Sequence, residues 1–282
     1  MDESVGGNLA EPVRVGALLA GAAALGVARL DAELLLAALL RVERATLLAF
    51  DERAVDALTV AMYEAGLERR AQGEPLAYIT GVKEFWSLPL SVAPGVLVPR
   101  PETELLVELC LARRDHAPRR VADLGTGSGA IALALASERP QWRIIATDIS
   151  ADALQIAGIN CRRLGIGGIE LRQGRWCDAL EPGSFDVVVS NPPYIAPDHP
   201  ALAALRHEPP GALVAADEGY SDLLTIATQA RARLQPGGLL LLEHGAAQAA
   251  RLGAMLAALG YRDIACHQDL AGLDRVTLAI WP

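Results

Sequence analysis

The chain has 282 residues, a length that suits a small domain together with a medium-sized one. Hydrophobic residues make up 52% of it, which is enough for a large core, yet no uncharged apolar stretch is long enough to cross a bilayer. The net charge of −9 and the presence of a single lysine, Lys83, argue against a protein that binds duplex DNA mainly through its phosphates.

The first part of the chain has a helical pattern. Between residues 13 and 70 apolar residues recur at helical spacing with charged residues between them, which predicts a small helical bundle over residues 1–72. Residues 73–98 are rich in glycine and proline. Two alternating segments in this stretch, residues 77–79 and 88–92, predict a linker with a β-hairpin.

Residues 99–282 alternate between strand, turn and helix. Helices are predicted at residues 103–113, 130–137, 150–165, 221–234 and 246–259, and strands at 121–124, 143–147, 169–172, 185–190, 238–243, 263–266 and 275–280. Seven strands in this order predict a doubly wound α/β sheet with crossover helices on both faces.

A glycine-rich turn follows the first of these strands. It consists of Gly125, Thr126, Gly127, Ser128 and Gly129. Such a turn before a helix lets the backbone approach a ligand and directs free N–H groups at it. A dinucleotide site would space its glycines Gly-x-Gly-x-x-Gly, whereas this turn reads Gly-x-Gly-x-Gly with Asp123 two residues before it. The next strand ends at Asp148, whose carboxylate can accept hydrogen bonds from both ribose hydroxyls. The spacing therefore favours S-adenosylmethionine over NAD.

The second motif is Asn191, Pro192, Pro193 and Tyr194, directly after the predicted buried strand 185–190. Ligand sites in open α/β sheets lie at the carboxyl ends of such strands. Prolines have no N–H and a fixed φ, so the segment offers many carbonyl acceptors beside the Asn191 side-chain oxygen. This arrangement suits a planar –NH2 group, whose flat face the Tyr194 ring can cover. A proline-rich turn without function is the simpler alternative.

Together these motifs resemble those of amino-methyltransferases with a Rossmann-like fold. Four further segments are similar to the peptide-chain release factor glutamine methyltransferases, namely residues 81–86, 98–104, 212–215 and 242–245. The resemblance implies a seven-stranded S-adenosylmethionine-dependent methyltransferase sheet with its last strand inserted antiparallel, preceded by the helical domain. Asn-Pro-Pro-Tyr alone would also fit an adenine-N6 DNA methyltransferase.

The resemblance also implies a substrate, the glutamine of the Gly-Gly-Gln loop in class I peptide-chain release factors. The Asn191 side chain and the Pro192 carbonyl would accept hydrogen bonds from its –NH2 group and favour the reaction at its N5 atom. Pro193 and Tyr194 would complete the substrate pocket, with Tyr194 also counted among the catalytic residues. The helical domain would recognise the release factor.

S-adenosylmethionine is the implied cofactor, with S-adenosylhomocysteine as the product and no metal. Trp176 follows the third strand, where the family places a residue against the adenine, and Arg175 stands where relatives often carry an acid. The predicted cofactor-binding residues are Gly125, Thr126, Gly127, Ser128, Gly129, Asp148, Trp176 and Asn191.

Several polar residues receive weaker assignments. Arg100, Glu102 and Glu104 precede a helix, where the acids suit the macrodipole as well as they suit ligand contact. Glu243 and His244 end a strand near the expected cleft, and we predict structural hydrogen bonds for both. His207 stands where the family often has an aromatic residue and is assigned no role in catalysis.

Cysteine spacing and the first residues bear on location. The four cysteines lack Cys-x-x-Cys spacing, which argues against a disulfide framework or a zinc site and predicts reduced residues in the core or at its boundary. The start of the chain has no signal-peptide pattern, so we expect a cytoplasmic protein.

Two other classes of protein are compatible with parts of this pattern. A nucleotide-binding oxidoreductase gains nothing from Asn-Pro-Pro-Tyr. A non-catalytic adaptor with a methyltransferase fold would not need Asn191 or the intact glycines. We therefore predict an enzyme that acts on a protein.

Overall fold

The computed structural model describes residues 12–282. The chain divides after Thr80 into two compact units, of which the second is Gly81–Pro282. Residues 1–11 of the predicted helical domain lie outside the described residues. The predicted boundaries at residues 72 and 98 stay predictions.

The first unit is helical, as its apolar spacing predicts. Its helices are α1 (Val15–Gly21), α2 (Arg29–Leu40), α3 (Arg44–Ala49), α4 (Ala57–Ala71) and α5 (Leu76–Thr80), with a 3₁₀ turn at Ala22–Leu25. Asp56 caps α4 by accepting a hydrogen bond from the Thr59 N–H at 2.9 Å. The helices pack around buried Leu35, Leu36 and Tyr63.

The second unit opens with a β-hairpin of β1 (Val82–Phe85) and β2 (Leu88–Ser91). The prediction of an extended segment at residues 77–79 was wrong, because these residues lie in α5. The Pro75 carbonyl accepts hydrogen bonds from the N–H groups of Tyr78 and Ile79, which closes a helical turn. Three alternating residues are too few to distinguish a strand from one turn of helix.

The remainder forms the seven-stranded sheet. Its strands are β3 (Arg120–Leu124), β4 (Arg143–Asp148), β5 (Ile169–Gln173), β6 (Phe185–Ser190), β7 (Leu234–Glu243), β8 (Arg262–Gln268) and β9 (Asp274–Ile280), in the order β5-β4-β3-β6-β7-β9-β8. The last strand, β9, is antiparallel to both of its neighbours, β7 and β8, as the resemblance implies, and the other pairs are parallel.

Helices cover both faces of the sheet. They are α6 (Glu104–Arg113), α7 (Ala130–Glu138), α8 (Ala151–Leu164), the short α9 (Ala216–Gly219), α10 (Ser221–Ala230) and α11 (Ala249–Ala258). Along β6 the side chains of Val187 and Val189 join one buried cluster and that of Val188 joins the other. A central parallel strand buried on both faces explains the uninterrupted apolar runs of the sequence.

Two predicted helices are longer than the observed ones. The helix predicted at residues 221–234 ends at Ala230, since Leu234 already belongs to β7 and pairs with Phe185. The helix predicted from residue 246 begins at Ala249. In the first case sheet pairing overrides an apolar pattern that suits a helix equally well.

All four cysteines are free, as predicted. Cys110 and Cys177 are buried and Cys161 is partly buried, whereas Cys266 is exposed rather than part of the core or its boundary.

The register of the parallel strands determines where the motifs meet. Leu124 at the end of β3 pairs with Thr147 of β4 on one side and Ser190 of β6 on the other. The Ser190 hydroxyl donates a hydrogen bond to the Leu124 carbonyl at 2.7 Å. The glycine turn, Asp148 and Asn191 therefore leave the sheet side by side.

Candidate active site

A cavity of about 460 Å³ lies at the carboxyl ends of β3, β4 and β6. Most of the predicted site residues belong to its wall, namely Gly125, Thr126, Gly127, Ser128, Asp148, Trp176, Asn191 and Pro193. Gly129, Pro192 and Tyr194 do not belong to the wall. A single concave site thus brings together motifs from three strands.

The glycine turn uses its N–H groups differently from our expectation. The N–H groups of Gly125 and Thr126 both donate to the Thr147 carbonyl at 2.9 Å, and that of Gly127 donates to Asp148 Oδ2 at 2.9 Å. These groups are thus engaged within the protein, because the turn folds back onto the end of β4. A ligand at this turn would therefore pack against its backbone and would not receive hydrogen bonds from these three N–H groups.

The glycines of the turn have different surroundings. Gly125 has a φ of +72°, and a Cβ atom there would lie 3.1 Å from Cζ3 of Trp176. Gly127 has a φ of +55°, and a Cβ atom there would meet nothing within 4 Å, although the residue lines the cavity. Gly129 instead serves packing, since its Cβ atom would lie 3.3 Å from the Cβ of Ala157.

Asp148 and Asp123 have different tasks. The oxygens of Asp148 accept hydrogen bonds from the N–H groups of Gly127 and Ser150, and a carboxylate oxygen can accept a second one from a ribose hydroxyl. Asp123 is fully buried and accepts a hydrogen bond from the Thr126 hydroxyl at 2.7 Å. Burial raises the pKa of Asp123 to about 7. Asp148 can contact a ligand, whereas Asp123 supports the turn.

An acid that the sequence analysis missed lies beside Trp176. Asp222, near the start of α10, lines the cavity and accepts a hydrogen bond from Trp176 Nε1 at 3.2 Å. Arg175 pairs with the same carboxylate oxygen at 3.3 Å. The carboxylate beside Trp176 therefore comes from α10 and not from position 175. Only its place near the start of a predicted helix could have drawn attention to it.

Asn191 is held by one hydrogen bond within the protein. Its Nδ2 atom donates to Thr103 Oγ1 at 3.0 Å. The amide has one oxygen and one nitrogen end, so this bond leaves Oδ1 as the acceptor available to a substrate. Thr103 is buried and belongs to the short 3₁₀ segment before α6. In the sequence it belongs to the segment 98–104 that carries the resemblance but receives no role, since a threonine before a helix is usually a cap.

Tyr194 packs toward the core behind the cavity wall. Its hydroxyl donates to Glu243 Oε1 at 3.2 Å, and its carbonyl accepts from Gln248 Nε2 at 3.2 Å. Gly219 approaches the same carbonyl so closely that a Cβ atom on it would lie only 2.1 Å away. These contacts hold the Asn-Pro-Pro-Tyr segment in place, and the assignment of the Tyr194 ring to the substrate stays a prediction.

Arg100 also lines the cavity and forms an ion pair with buried Glu208. The same carboxylate accepts a hydrogen bond from the Val98 N–H at 3.0 Å. Glu104 instead accepts a hydrogen bond from the Trp86 N–H at 2.8 Å. Arg100 is therefore fixed as part of the wall, and Glu104 ties the hairpin to α6.

Known families match both parts of the chain. The family described as "PrmC N-terminal domain" matches residues 16–81, and the family described as "Methyltransferase small domain" matches residues 101–207. A release factor glutamine methyltransferase of Coxiella burnetii is 48% identical over 252 residues, which are 89% of this chain and 91% of that protein. The chain belongs to the release factor glutamine methyltransferase family.

Other members of the family are similar at the same level. The release factor glutamine methyltransferase of Escherichia coli is 47% identical over 89% of this chain and 91% of its own length. That of Xylella fastidiosa strain Temecula1 is 47% identical over 94% of this chain and 98% of its own length.

Solved structures confirm the fold. A ribosomal protein L11 methylase from Lactobacillus delbrueckii superposes with a TM-score of 0.51 at 24% identity, covering 67% of this chain and 82% of that one. A 16S rRNA guanine methyltransferase from Thermus thermophilus, solved with S-adenosylmethionine and guanosine, has a TM-score of 0.54 at 21% identity and covers 71% of this chain and 50% of that one. The predicted Rossmann-like methyltransferase sheet is therefore confirmed.

Residues 12–282 lack two kinds of feature. No helix in this range has the length and apolar character to cross a membrane. The same residues hold no group of three or more His, Cys, Asp or Glu side chains placed to bind a metal ion.

Proposed function

We propose that this enzyme transfers the methyl group of S-adenosylmethionine to the side-chain amide nitrogen, N5, of the glutamine in the Gly-Gly-Gln loop of class I peptide-chain release factors. The observation that carries the proposal is the Asn191 amide, which lies in the wall of the cavity with its nitrogen bonded to Thr103. The names of the relatives support the substrate. The work of such an enzyme would take place in the cytoplasm, where release factors act.

The cavity suits S-adenosylmethionine. Asp148 would bind the ribose hydroxyls, and Trp176 would pack against the adenine. The open space beside Gly127, which has no side chain, would let the ligand approach the backbone closely. When bound, S-adenosylmethionine supplies a methyl group already activated by the positive sulfonium. The proposed reaction needs no metal.

The enzyme has to hold the amide nitrogen, a poor nucleophile, in the position that methyl transfer requires. The amide lone pair is conjugated with its carbonyl, and losing that conjugation costs about 18–20 kcal/mol in a peptide bond. Asn191 Oδ1 and the Pro192 carbonyl would accept the two hydrogens of the substrate –NH2 and stabilise positive charge as it develops on nitrogen. Holding the nitrogen in line is worth about 7–11 kcal/mol in favourable cases. The nitrogen gains a methyl group and releases a proton to water.

The electrostatics of the chain disfavour the adenine-N6 DNA methyltransferase alternative. Twelve arginines of the described residues form ion pairs with acids of the same chain. Lys83 is the only lysine, and the net charge is −9. An overall negative charge repels phosphates, whose contacts with cations supply most non-specific affinity for DNA.

A parallel transfer assay tests the substrate class. The enzyme is incubated with methyl-labelled S-adenosylmethionine and either a class I release factor or an adenine-containing DNA duplex. We expect label on the release factor and none on the duplex. Labelled adenine together with an unlabelled release factor would support a DNA methyltransferase instead, and no label on either would support an adaptor.

Asp148→Ala tests the cofactor site. The substitution should weaken S-adenosylmethionine binding by about 1.5–3 kcal/mol, the range for a hydrogen bond to a charged group. Calorimetry measures the affinity, and thermal unfolding shows whether the glycine turn, which Asp148 also holds, stays folded. Asp152→Ala is a matched control, because Asp152 is an exposed acid in the first turn of α8. An unchanged affinity in Asp148→Ala would remove the residue from the site.

The first unit is proposed to bind the release factor. A pocket for one glutamine side chain cannot by itself select one protein, so additional surface is needed. Of the exposed large hydrophobic side chains of the described chain, eight belong to the first unit and six to the longer second unit. Those of the first unit are Val13, Leu25, Leu30, Leu34, Leu48, Phe50, Leu58 and Met62. We propose that some of these side chains contact the release factor.

A further inference from the structure

The end of β7 places a carboxylate behind the Asn-Pro-Pro-Tyr segment. Glu243 is 1% exposed, and its Oε1 atom accepts a hydrogen bond from the Tyr194 hydroxyl at 3.2 Å. Its Oε2 atom is also buried, and no donor of the described residues lies at both the distance and the angle of a regular hydrogen bond to it. The Thr103 hydroxyl is close enough to stabilise the charged form of this carboxyl group. A buried acid is costly, so its place beside two residues of the site calls for an explanation.

Thr103 connects this carboxylate to Asn191. Its oxygen accepts the hydrogen bond from Asn191 Nδ2 at 3.0 Å, while its own hydrogen can point toward Glu243. A hydroxyl has one hydrogen to donate and lone pairs to accept with. The direction of one hydrogen bond therefore sets the direction of the other.

We propose that Glu243 is a positioning residue that determines, through Thr103, which end of the Asn191 amide faces the substrate. An ionised carboxylate can only accept, so the Thr103 hydroxyl donates to it and offers Asn191 only lone pairs. Asn191 must then present Nδ2 to Thr103 and Oδ1 to the cavity. The inference rests on the proposed function, in which Oδ1 accepts a hydrogen from the substrate –NH2.

The opposite orientation would be inactive. With Nδ2 toward the cavity, the two donor groups of Asn191 and substrate would face each other, and the charge developing on nitrogen would lose its acceptor. Glu243→Gln keeps the shape of the side chain but adds a donor, which permits the hydroxyl of Thr103 to turn and donate to the asparagine. The amide then has no fixed orientation.

The protonation of Glu243 should be visible near neutral pH. Burial raises the pKa of this carboxyl group to about 7, and the negative charge of Glu102 adds to the rise. Hydrogen bonds from Thr103 and Tyr194 and the positive charge of Arg275 lower the pKa and so oppose the rise. Neighbouring His244 has its pKa lowered by burial and titrates below the usual range for histidine. Turnover should therefore rise as the pH passes through about 7 and Glu243 becomes ionised.

A kinetic comparison tests the inference. Glu243→Gln and Thr103→Val should each lower kcat by about tenfold or more and change the S-adenosylmethionine affinity by less than about twofold. Thr103→Ser should restore most of the activity. Glu243→Gln should also remove the rise of kcat near neutral pH. Glu108→Gln, an exposed acid on α6, is the control and should behave as the wild type. Unchanged kcat in Glu243→Gln, or an unchanged pH profile, would overturn the inference.

A second measurement does not depend on the substrate. The chain has only three asparagines, Asn8, Asn160 and Asn191, so ¹⁵N-asparagine labelling gives three side-chain NH2 signals. The Asn191 signal, assigned by its loss in Asn191→Ser, should shift with a midpoint of about pH 7 in the wild type and not in Glu243→Gln. A signal that does not respond to pH in the wild type would overturn the inference. Failure of the release factor to accept a methyl group would instead count against the proposed function.

Discussion

Asn191→Ala should reduce turnover by about tenfold or more, equivalent to about 1.4 kcal/mol of barrier, and leave the affinity for S-adenosylmethionine nearly unchanged. The reason is that the amide oxygen of Asn191 is assigned to the substrate nitrogen, and the interaction strengthens only as charge develops there. The bond to Thr103 that fixes the amide is lost in the same substitution.

Single-turnover kinetics with a release factor gives the rate of methyl transfer in Asn191→Ala, and calorimetry gives its cofactor affinity. Thermal unfolding should show a folded enzyme, because Ser190 still ties the end of β6 to β3. A loss of turnover well below tenfold would remove Asn191 from its place beside the reacting nitrogen. A parallel loss of cofactor affinity would assign it to S-adenosylmethionine binding instead.

Deletion of residues 1–80 should raise KM for the release factor far more than KM for a short peptide that contains Gly-Gly-Gln. Both substrates place the same glutamine in the cavity, but only the protein can use the exposed apolar surface of the first unit. Individual interface residues commonly contribute more than about 1 kcal/mol when they form a binding hot spot. Steady-state kinetics with the two substrates, at saturating S-adenosylmethionine, measures the difference.

A double substitution on the surface of the first unit distinguishes a loss of binding from a folding defect caused by the deletion. Leu58 and Met62 are both exposed and lie four residues apart on α4, so they share one face of the helix. Leu58→Ser with Met62→Ser should reproduce part of the effect on the release factor and none on the peptide. Equal losses for the two substrates in the deletion would point to a role of the first unit in folding.

The sheet could be predicted because its signals are local. The apolar runs of β3, β4 and β6 are buried on both faces, and the turns that follow them carry the glycines and prolines that mark a change of direction. Parallel pairing then brings Asp148 and Asn191 to the same edge. The antiparallel position of β9 came only from the resemblance, since spacing does not determine strand order.

The rest of the site depends on contacts between distant residues. Thr103 and Asp222 line the cavity, and Glu208 holds Arg100 in its wall, through partners that are far away in the chain. The glycine turn was recognised, but its N–H groups bond to the end of β4, which sequence spacing does not reveal. Residues 77–79 show the local limit, because one helical turn and a short strand share the same pattern.

The most direct test of the account is the position of the methyl group on the substrate. A class I release factor is incubated with the enzyme and S-adenosylmethionine, digested, and its Gly-Gly-Gln peptide is fragmented in a mass spectrometer. We expect one added methyl group on the glutamine side chain, and none when that glutamine is replaced by glutamate, which lacks the amide nitrogen. A methyl group on another residue, or on the glutamate variant to the same extent, would contradict it.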